Sequence, residues 1–444
     1  MSRTRHCFVP PYLLQQLALT VPEEAERWHR LLALDDDLRL QRSNAPVRRG
    51  VASVRGPAWV VHTAGNATDL PGEVSRRAGD PPSDDVAVEE AALGISGALA
   101  LFEEVYGRSS YDGEGATVSA TVHYGRDYVN AFWDGTQLVF GDGDGRVFDR
   151  FTKPVDVLAH ELTHAVTEHT AGLVYEGQSG ALNESVSDVF ASCLKQRLLG
   201  QTALAADWLI GEGLFLPGVE ARGLRDMANP GLAYDDPALG KDPQPAHLDD
   251  FVDTTDDNGG VHLNSGIPNR AFHLAAVAIG GSSWEGAGRV WWAALTGDLV
   301  TARSDFADFA AATVAAATAL GDVDVDAVEG AWAAVGVTPR ATAATLGLPV
   351  TPTAAAPPAG DRVAVRRTGG FAGHTAEAGV DLTEDPRGSE LRDLVDRIDL
   401  GEVVGSPPQP DRFVYDFDLC GDHATVCEQD LTADLRRVAD LVLP

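Results

Sequence analysis

His160-Glu161-Leu162-Thr163-His164 sets two imidazoles four residues apart with a carboxylate next to the first. On a helix such residues share one face about one turn apart, so both rings can reach a single ion. The glutamate between them projects beside that ion, where it can take a proton from bound water. Imidazole and carboxylate donors that leave one position open suit catalytic zinc. Five residues with two free positions recur by chance, and an amphipathic helix with a satisfied histidine pair would read the same way. The next helical stretch separates the two readings. Asn183-Glu184-Ser185-Val186-Ser187-Asp188 offers Glu184 as a third ligand. Asp188, one turn further on, can accept a hydrogen bond from the far nitrogen of a ligand histidine and fix its tautomer. Asn183 sits beside Glu184 and belongs to the same supporting set.

Elements must hold these groups. Residues 154–170 and 181–199 carry the helical period, and so do 265–280, 285–300, 304–319 and 324–335. Before them the pattern alternates as in strands: Trp59 to His62, Thr117 to Tyr124 and Gln137 to Phe140, closed by Gly141-Asp142-Gly143-Asp144-Gly145. A helix over about 86–106 interrupts the strands. Strands followed by helices predict an α+β fold with a β-rich first lobe (51–170, including the HExxH helix) and an α-helical second lobe (171–337). A Pro/Ala/Thr-rich stretch over 338–360 reads as an extended linker. Residues 361–444 alternate again, end in a helix from about Leu431 to Val442, and have the size of a small α+β domain.

His160 to Asp188 resembles the active-site helices of the thermolysin family of metallopeptidases, including the gap between the second histidine and the glutamate. Asn130-Ala131-Phe132-Trp133 with the Gly/Asp turn resembles that family's substrate-binding edge strand. Asp257-Asn258-Gly259-Gly260-Val261-His262 resembles its second catalytic block. Read alone, Asp257 to Gly260 is a turn. The resemblance implies the roles. Zinc is held by His160, His164 and Glu184, and Glu161 moves a proton from water to the leaving amine. Tyr175 and His262 stabilise the oxyanion, and Asp257 orients His262. Asn130 and Ala131 pair with the substrate backbone as an added strand, and Arg225 binds the carbonyl just past the cut. The pocket there contains Phe148, Val157, Ile210 and Leu224, all apolar, which implies cleavage before bulky hydrophobic residues. Asp156, Asp207 and Glu212 match the family's calcium cluster, but Lys195 and Leu209 stand where carboxylates are expected. The Lys195 amine is therefore expected to replace an ion, with room for at most one calcium.

Both ends carry their own signals. Cys7-Phe8-Val9-Pro10-Pro11-Tyr12-Leu13-Leu14 resembles the short propeptide of protealysin-type members, which implies a self-cleaved inhibitory segment over 1–50. Pro10-Pro11 fixes an extended stretch ahead of one amphipathic helix from about Tyr12 to Ala33. The Cys7 thiolate is a candidate to approach zinc. This segment has eight arginines against six acidic residues, a net charge of +2 before a strongly acidic body that it can dock on. At the other end, Val363 to Gly373, Asp411 to Phe417 and Glu428 to Leu431 resemble emfourin, a protein inhibitor of protealysin-type enzymes. Phe371, in a Gly-rich loop, is its candidate inhibitory contact. Cys420 and Cys427 are expected to face each other across a hairpin as free thiols.

The formal net charge of −32 argues against nucleic acid and anionic membrane as partners, leaving peptide or protein substrates and the chain's own two ends in cis, on a monomer. Four scattered cysteines are too few for a disulfide framework, and no C-x-x-C pair suggests a zinc ribbon. Residues 1–22 lack the pattern of a secretory signal, which makes the cytoplasm the expected compartment, with export by another route open. A latent, non-catalytic binding protein keeping the same fold is the competing reading. It would be expected to lack a catalytic group, whereas Glu161, Tyr175, Asp257 and His262 are all present.

Overall fold

In a computed structural model the chain falls into two compact units, Met1–Leu346 and Gly347–Pro444, whose boundary in sequence falls inside the stretch read as a linker. The structure describes residues 6–21, 24–33, 56, 58–341, 362–369, 376–383, 385–395, 397–398, 413–420 and 422–443. Among them no helix is long and apolar enough to cross a membrane. Phe371 and most of 338–360 lie outside the described residues.

The first unit is built on a six-stranded sheet, with strands numbered in chain order. They are β1 (His6–Cys7), β2 (Trp59–Thr63), β3 (Glu73–Arg77), β4 (Val118–Val122), β5 (Ala131–Trp133) and β6 (Leu138–Phe140). Their spatial order is β1-β5-β6-β4-β2-β3. The β2/β4 and β4/β6 pairs are parallel; β1/β5, β5/β6 and β2/β3 are antiparallel. Without β1, the short strand β5 would present an unpaired edge, the usual place for an extended peptide to add. Here the chain's own N-terminus occupies it, with His6 opposite Trp133 and Cys7 opposite Phe132.

The N-terminal helix expected over 12–33 is two helices, α1 (Pro11–Thr20) and α2 (residues 25–33). The break has a local cause. Val21 precedes Pro22, whose ring disfavours the helical conformation of the residue before it, and Val21 sits at φ −120°, ψ 70°. Helix α1 still presents an apolar face, burying Leu13, Leu14, Leu17 and Ala18.

Helix α3 (Val86–Tyr106) covers the sheet. Asp85 caps its first turn through the Ala87 and Val88 N–H groups, and Gly107, at φ 70°, ends it. Helices α4 (Val155–Glu168) and α5 (Gly177–Leu199) run through the centre. Every residue from Asp156 to Thr167 and from Ser179 to Gln196 is buried. Polar residues on such helices must find partners inside, because no water reaches them. Gly94 of α3 lets α4 approach closely: a Cβ there would lie 2.7 Å from Leu158 Cδ2. The helical lobe then adds α6 (Asp257–Asn264), α7 (Gly266–Ile279), α8 (Ala287–Leu295), α9 (Phe306–Leu320) and α10 (Val325–Ala334). Two-residue strands β7 (Leu209–Ile210) and β8 (Arg225–Asp226) pair beneath α5, and β9 (Asp235–Asp236) pairs with β10 (Gly240–Lys241).

The second unit is a four-stranded antiparallel sheet in the order β12-β11-β13-β14, with two helices. Its strands are β11 (Arg362–Gly369), β12 (Ala376–Asp381), β13 (Phe413–Leu419) and β14 (Asp422–Cys427). Val363, Val365 and Phe417 pack with Leu391 of α11 (Gly388–Val395) and with Leu435 and Val438 of α12 (Ala433–Val442). Cys420 and Cys427 do not face each other. Cys427 pairs with Val414 at one end of the β13–β14 hairpin, and Cys420 lies in the turn at the other, several rungs of about 3.3 Å away.

His123 ties the sheet to α3 and to the Gly/Asp turn. Its Nε2 donates to Asp85 Oδ2 at 2.9 Å and its Nδ1 to Asp142 Oδ2 at 2.8 Å. The Asp142 hydrogen bond, opposed by partial burial and aided by Asp85, raises the imidazole from 6.5 to about 9. A histidine raised in the folded state contributes fully below its unfolded pKa of about 6.5 and loses that contribution as pH climbs through its folded value. We therefore expect wild-type stability in urea to fall between pH 6.5 and 9.5. His123→Gln should flatten that slope and cost roughly 1–2 kcal/mol at pH 6. An unchanged slope in the variant would show that another group titrates.

Candidate metal centre

Helices α4 and α5 bring His160, His164 and Glu184 together, with ligand atoms all within 4.8 Å of one another. It is the one such group of His, Cys, Asp or Glu among the described residues, and it does not include the Cys7 thiol. The two Nε2 atoms are 3.0 Å apart, and the Glu184 oxygens lie 3.4 Å from His160 Nε2 and 3.5 Å from His164 Nε2. Ligands about 2.0–2.1 Å from a tetrahedral ion stand roughly 3.3 Å from each other, so the three side chains fit zinc. Glu184 Oε2 is buried with no hydrogen bond, an acceptor that a cation would satisfy.

The far side of each ring is engaged. His160 Nδ1 faces Asp188 Oδ1 at 2.9 Å, and His164 Nδ1 faces Asn183 Oδ1 at 2.8 Å and Ser187 Oγ at 3.1 Å. Those bonds leave both Nε2 atoms aimed at the common point. Burial pushes His164 down to about 3, so it stays neutral, as a ligand must be. For Glu184 burial acts upward, but the surrounding histidines outweigh it and hold the carboxyl well below its ordinary range.

Glu161 is wholly buried beside the trio. Burial lifts its carboxyl to about 8, with the Glu184 charge adding and His160 opposing. Tyr175 Oη reaches Glu184 Oε1 and lies 3.2 Å from His262 Nε2. Asp257 grips His262 twice, accepting its backbone N–H at 2.9 Å and facing Nδ1 at 2.7 Å. Burial opposes the His262 charge, but Asp257 and Glu184 raise its pKa overall. Gln244 Nε2, which the motifs do not single out, donates to the His262 carbonyl at 2.7 Å.

Along β5, Ala131 O accepts Phe8 N–H at 3.0 Å and Asn130 Oδ1 accepts Val9 N–H at 2.8 Å. Phe132 and Trp133 pair with Cys7 and His6. Pro10 stands in extended conformation and Pro11 opens α1. Cys7 thus meets the site through its backbone: its carbonyl faces His262 Nε2 at 2.7 Å. Phe8 is wholly buried, edge-on to His160, in one core with Phe148, Val157, Ile210 and Leu224. Arg225 donates from Nη1 to the Phe8 carbonyl at 3.2 Å.

Asp188 holds more than a histidine. Arg225 Nε and Nη2 each donate to it at 2.8 Å, and Asn269 Nδ2 donates to Oδ2 at 2.8 Å. Asn269 went unnoticed in the sequence because no motif contains it and 81 residues separate it from Asp188.

The acidic cluster with Lys195 is also present. Lys195 Nζ reaches Asp207 Oδ1 at 2.9 Å, Glu212 Oε2 at 2.8 Å and the Leu209 carbonyl at 3.3 Å, which uses all three of its hydrogens. Asp156 lies buried close by, accepting Gly211 N–H at 3.0 Å.

Residues 70–168 match the family model of the thermolysin metallopeptidase catalytic domain, and 171–337 match that of the thermolysin metallopeptidase alpha-helical domain. Residues 365–443 match emfourin. The chain is 46 % identical over 341 residues to an extracellular metalloprotease of Pectobacterium carotovorum subsp. carotovorum, covering 76 % of this chain and 98 % of that protein. It is 43 % identical over 339 residues to protease PrtS of Photorhabdus sp., covering 74 % and 91 %. The solved precursor of protealysin, a metalloproteinase from Serratia proteamaculans, superposes with a TM-score of 0.65 at 46 % identity, covering 75 % of this chain and all of that one. The name of the Pectobacterium relative stands against the cytoplasmic compartment expected from the N-terminus, and that expectation is withdrawn.

Asp188→Asn should lower stability, because the buried Arg225 guanidinium loses its counter-charge, and should loosen the metal, since the amide must turn a donor toward either His160 or Arg225. Zinc retention against a competing chelator should weaken 10–100-fold. Retention equal to wild type would remove Asp188 from the site's support.

Proposed function

Because the chain belongs to the thermolysin family of zinc-dependent metallopeptidases, we propose that it is an endopeptidase cutting before bulky hydrophobic residues, made as a self-processing precursor and acting outside the cell. The observation that carries this reading is Phe8, an aromatic side chain buried beside His160 while its backbone is held by Ala131 and Arg225.

Zinc, when bound, supplies Lewis-acid polarisation and a water of lowered pKa. The protein's own groups do the rest. Glu161 accepts a proton and returns it to the leaving amine, and its raised pKa suits that two-way traffic. Tyr175 and His262 donate to the oxygen that gains charge; losing one such donor costs about 3–4 kcal/mol of barrier. Asp257 keeps His262 turned toward that oxygen. Asn130, Ala131 and Arg225 fix the substrate backbone, while Phe148, Val157, Ile210 and Leu224 line the apolar side that receives its first residue past the cut. The Lys195 ammonium takes the place of a calcium ion among Asp207, Glu212 and Leu209 O.

Residues 1–50 act as the inhibitory propeptide on a monomeric enzyme, with lobes over 51–170 and 171–337 and maturation within about 45–57. The emfourin-like domain, 361–444, restrains the peptidase in cis; the motif that suggests this runs through Val363 to Gly373.

Intact mass followed over time should show wild-type processing near 45–57, and a peptide library should be cut before Phe, Leu or Ile, equally well in EGTA. Glu161→Gln should abolish both reactions while keeping zinc. Cuts mainly before charged residues would refute the pocket, and processing by the glutamine variant would refute the role of Glu161. Deleting 361–444 should raise the rate on a small peptide several-fold; an unchanged rate would make that domain a binding module instead.

A further inference from the structure

The N-terminal segment crosses the cleft in one direction and in one register. His262, the group read as polarising the carbonyl that is attacked, faces the Cys7 carbonyl at 2.7 Å. Arg225, read as binding the next carbonyl, donates to Phe8 O at 3.2 Å. Phe8 N–H bonds Ala131 O at 3.0 Å and Val9 N–H bonds Asn130 Oδ1 at 2.8 Å. These four contacts put one peptide bond, Cys7–Phe8, between the group for the attacked carbonyl and the groups for the residue past the cut. The Phe8 side chain is wholly buried on the apolar side, next to His160 and Leu224.

The two prolines defend that register against sliding in one direction. Sliding the chain by one residue would place Pro10 opposite Asn130 Oδ1, and sliding it by two would place Pro10 opposite Ala131 O. Neither works, because proline has no N–H to give.

We propose that Cys7–Phe8 is a bond this active site hydrolyses in its own chain, and that the downstream product stays seated, so the cut leaves the cleft closed. The proposal rests on the peptidase reading above. In the step, a water oxygen bonds to the Cys7 carbonyl carbon and the bond from that carbon to the Phe8 nitrogen breaks. Glu161 carries one proton from the water to that nitrogen, and the second water proton passes there from the new carboxyl group. Cys7 ends as a carboxylate and Phe8 as an ammonium.

What each product keeps decides its fate. Upstream, His6 and Cys7 form a two-residue strand on β5, with Cys7 buried and its carbonyl facing His262, a much shorter stretch than the one downstream. Downstream, Phe8, Val9, Leu13, Leu14, Leu17 and Trp28 are all buried. Arg27 pairs with Asp144 at 3.3 Å, and Thr20 Oγ1 donates to Ala238 O at 2.7 Å. The upstream peptide leaves and the rest remains in place, a cleaved segment that still blocks the cleft.

The test uses the full chain incubated in ¹⁸O-enriched water and read by mass spectrometry, beside a peptide with a central Phe. Expected are a fragment ending at Cys7 with one ¹⁸O in its new carboxyl and a partner beginning at Phe8. Both should form at a rate independent of protein concentration and be absent in Glu161→Gln. Peptide turnover should not rise with this cut. Phe8→Asp should stop cleavage at residue 7 and Phe8→Leu should preserve it; should the aspartate variant fail to fold, wild type against Glu161→Gln decides alone. An intact Cys7–Phe8 bond in a preparation that hydrolyses the added peptide would overturn the proposal and leave the peptidase reading standing. Hydrolysis of neither would overturn both. Peptide turnover rising in step with the cut would overturn the retention of the downstream product.

Discussion

The Asp188 carboxylate is wholly buried and accepts four hydrogen bonds from three side chains on three elements: His160 on α4, Arg225 on β8 and Asn269 on α7. Burial alone would push it toward the neutral acid, but Arg225 and His160 outweigh that and keep it charged. A buried charge is tolerable only when its partners are complete, and removing one partner typically costs about 3–5 kcal/mol. The same carboxylate therefore fixes a metal ligand, aims the guanidinium that holds the Phe8 carbonyl, and fastens the helical lobe to both. The distance from metal to peptide clamp is set by one side chain.

The sheet contributes in a complementary way. Strand β5 is three residues long, one edge faces β1, and its partner on the other side is β6, antiparallel to it and buried on both faces. It supplies a rigid ledge whose carbonyl and N–H groups stand at fixed heights above α4. In this chain the ledge is filled by β1, and the prolines that follow bend the segment into α1. A strand that fills this ledge takes the same backbone groups that any other added strand would need.

The metal trio and Asp188 were legible in the sequence because they are local: two histidines one turn apart, and a glutamate and an aspartate one turn apart on the next helix. The α+β order and the emfourin-like end were legible from alternation and motif. What was not legible depends on distance or on ends. Asn269 and Gln244 belong to no motif, and only the fold shows that they meet Asp188 and His262. The two-residue strand β1 is too short to carry a period, so the sequence drew attention to the Cys7 thiol and not to its carbonyl, which faces His262, while the thiol is not one of the three clustered ligands. The helix expected over 12–33 stays periodic across Pro22, and the period concealed the break that Val21 makes. Cys420 and Cys427 were paired from proximity in sequence, but a hairpin brings together residues equidistant from its turn, and Cys420 is in the turn itself.

The segment Asp257 to Gly260 shows why reading it as a turn and reading it as catalytic do not exclude each other. Four successive residues have positive φ, at 51°, 52°, 84° and 71°. For Asp257 and Asn258 that conformation costs free energy, on the order of 1–3 kcal/mol each. Gly259 and Gly260 are required twice over, by φ and by space: a Cβ on Gly259 would lie 3.0 Å from Gly177 N, and one on Gly260 2.9 Å from Asn264 Nδ2. The left-handed turn reverses the chain within a few ångströms, so Asp257 returns over the start of its own helix. There it takes the backbone N–H of His262 with one oxygen and the ring nitrogen with the other. An ordinary helical start would send that carboxylate outward and leave His262 free to rotate. The strain is the means by which five residues of local chain fix an imidazole against a carbonyl held by a different part of the protein.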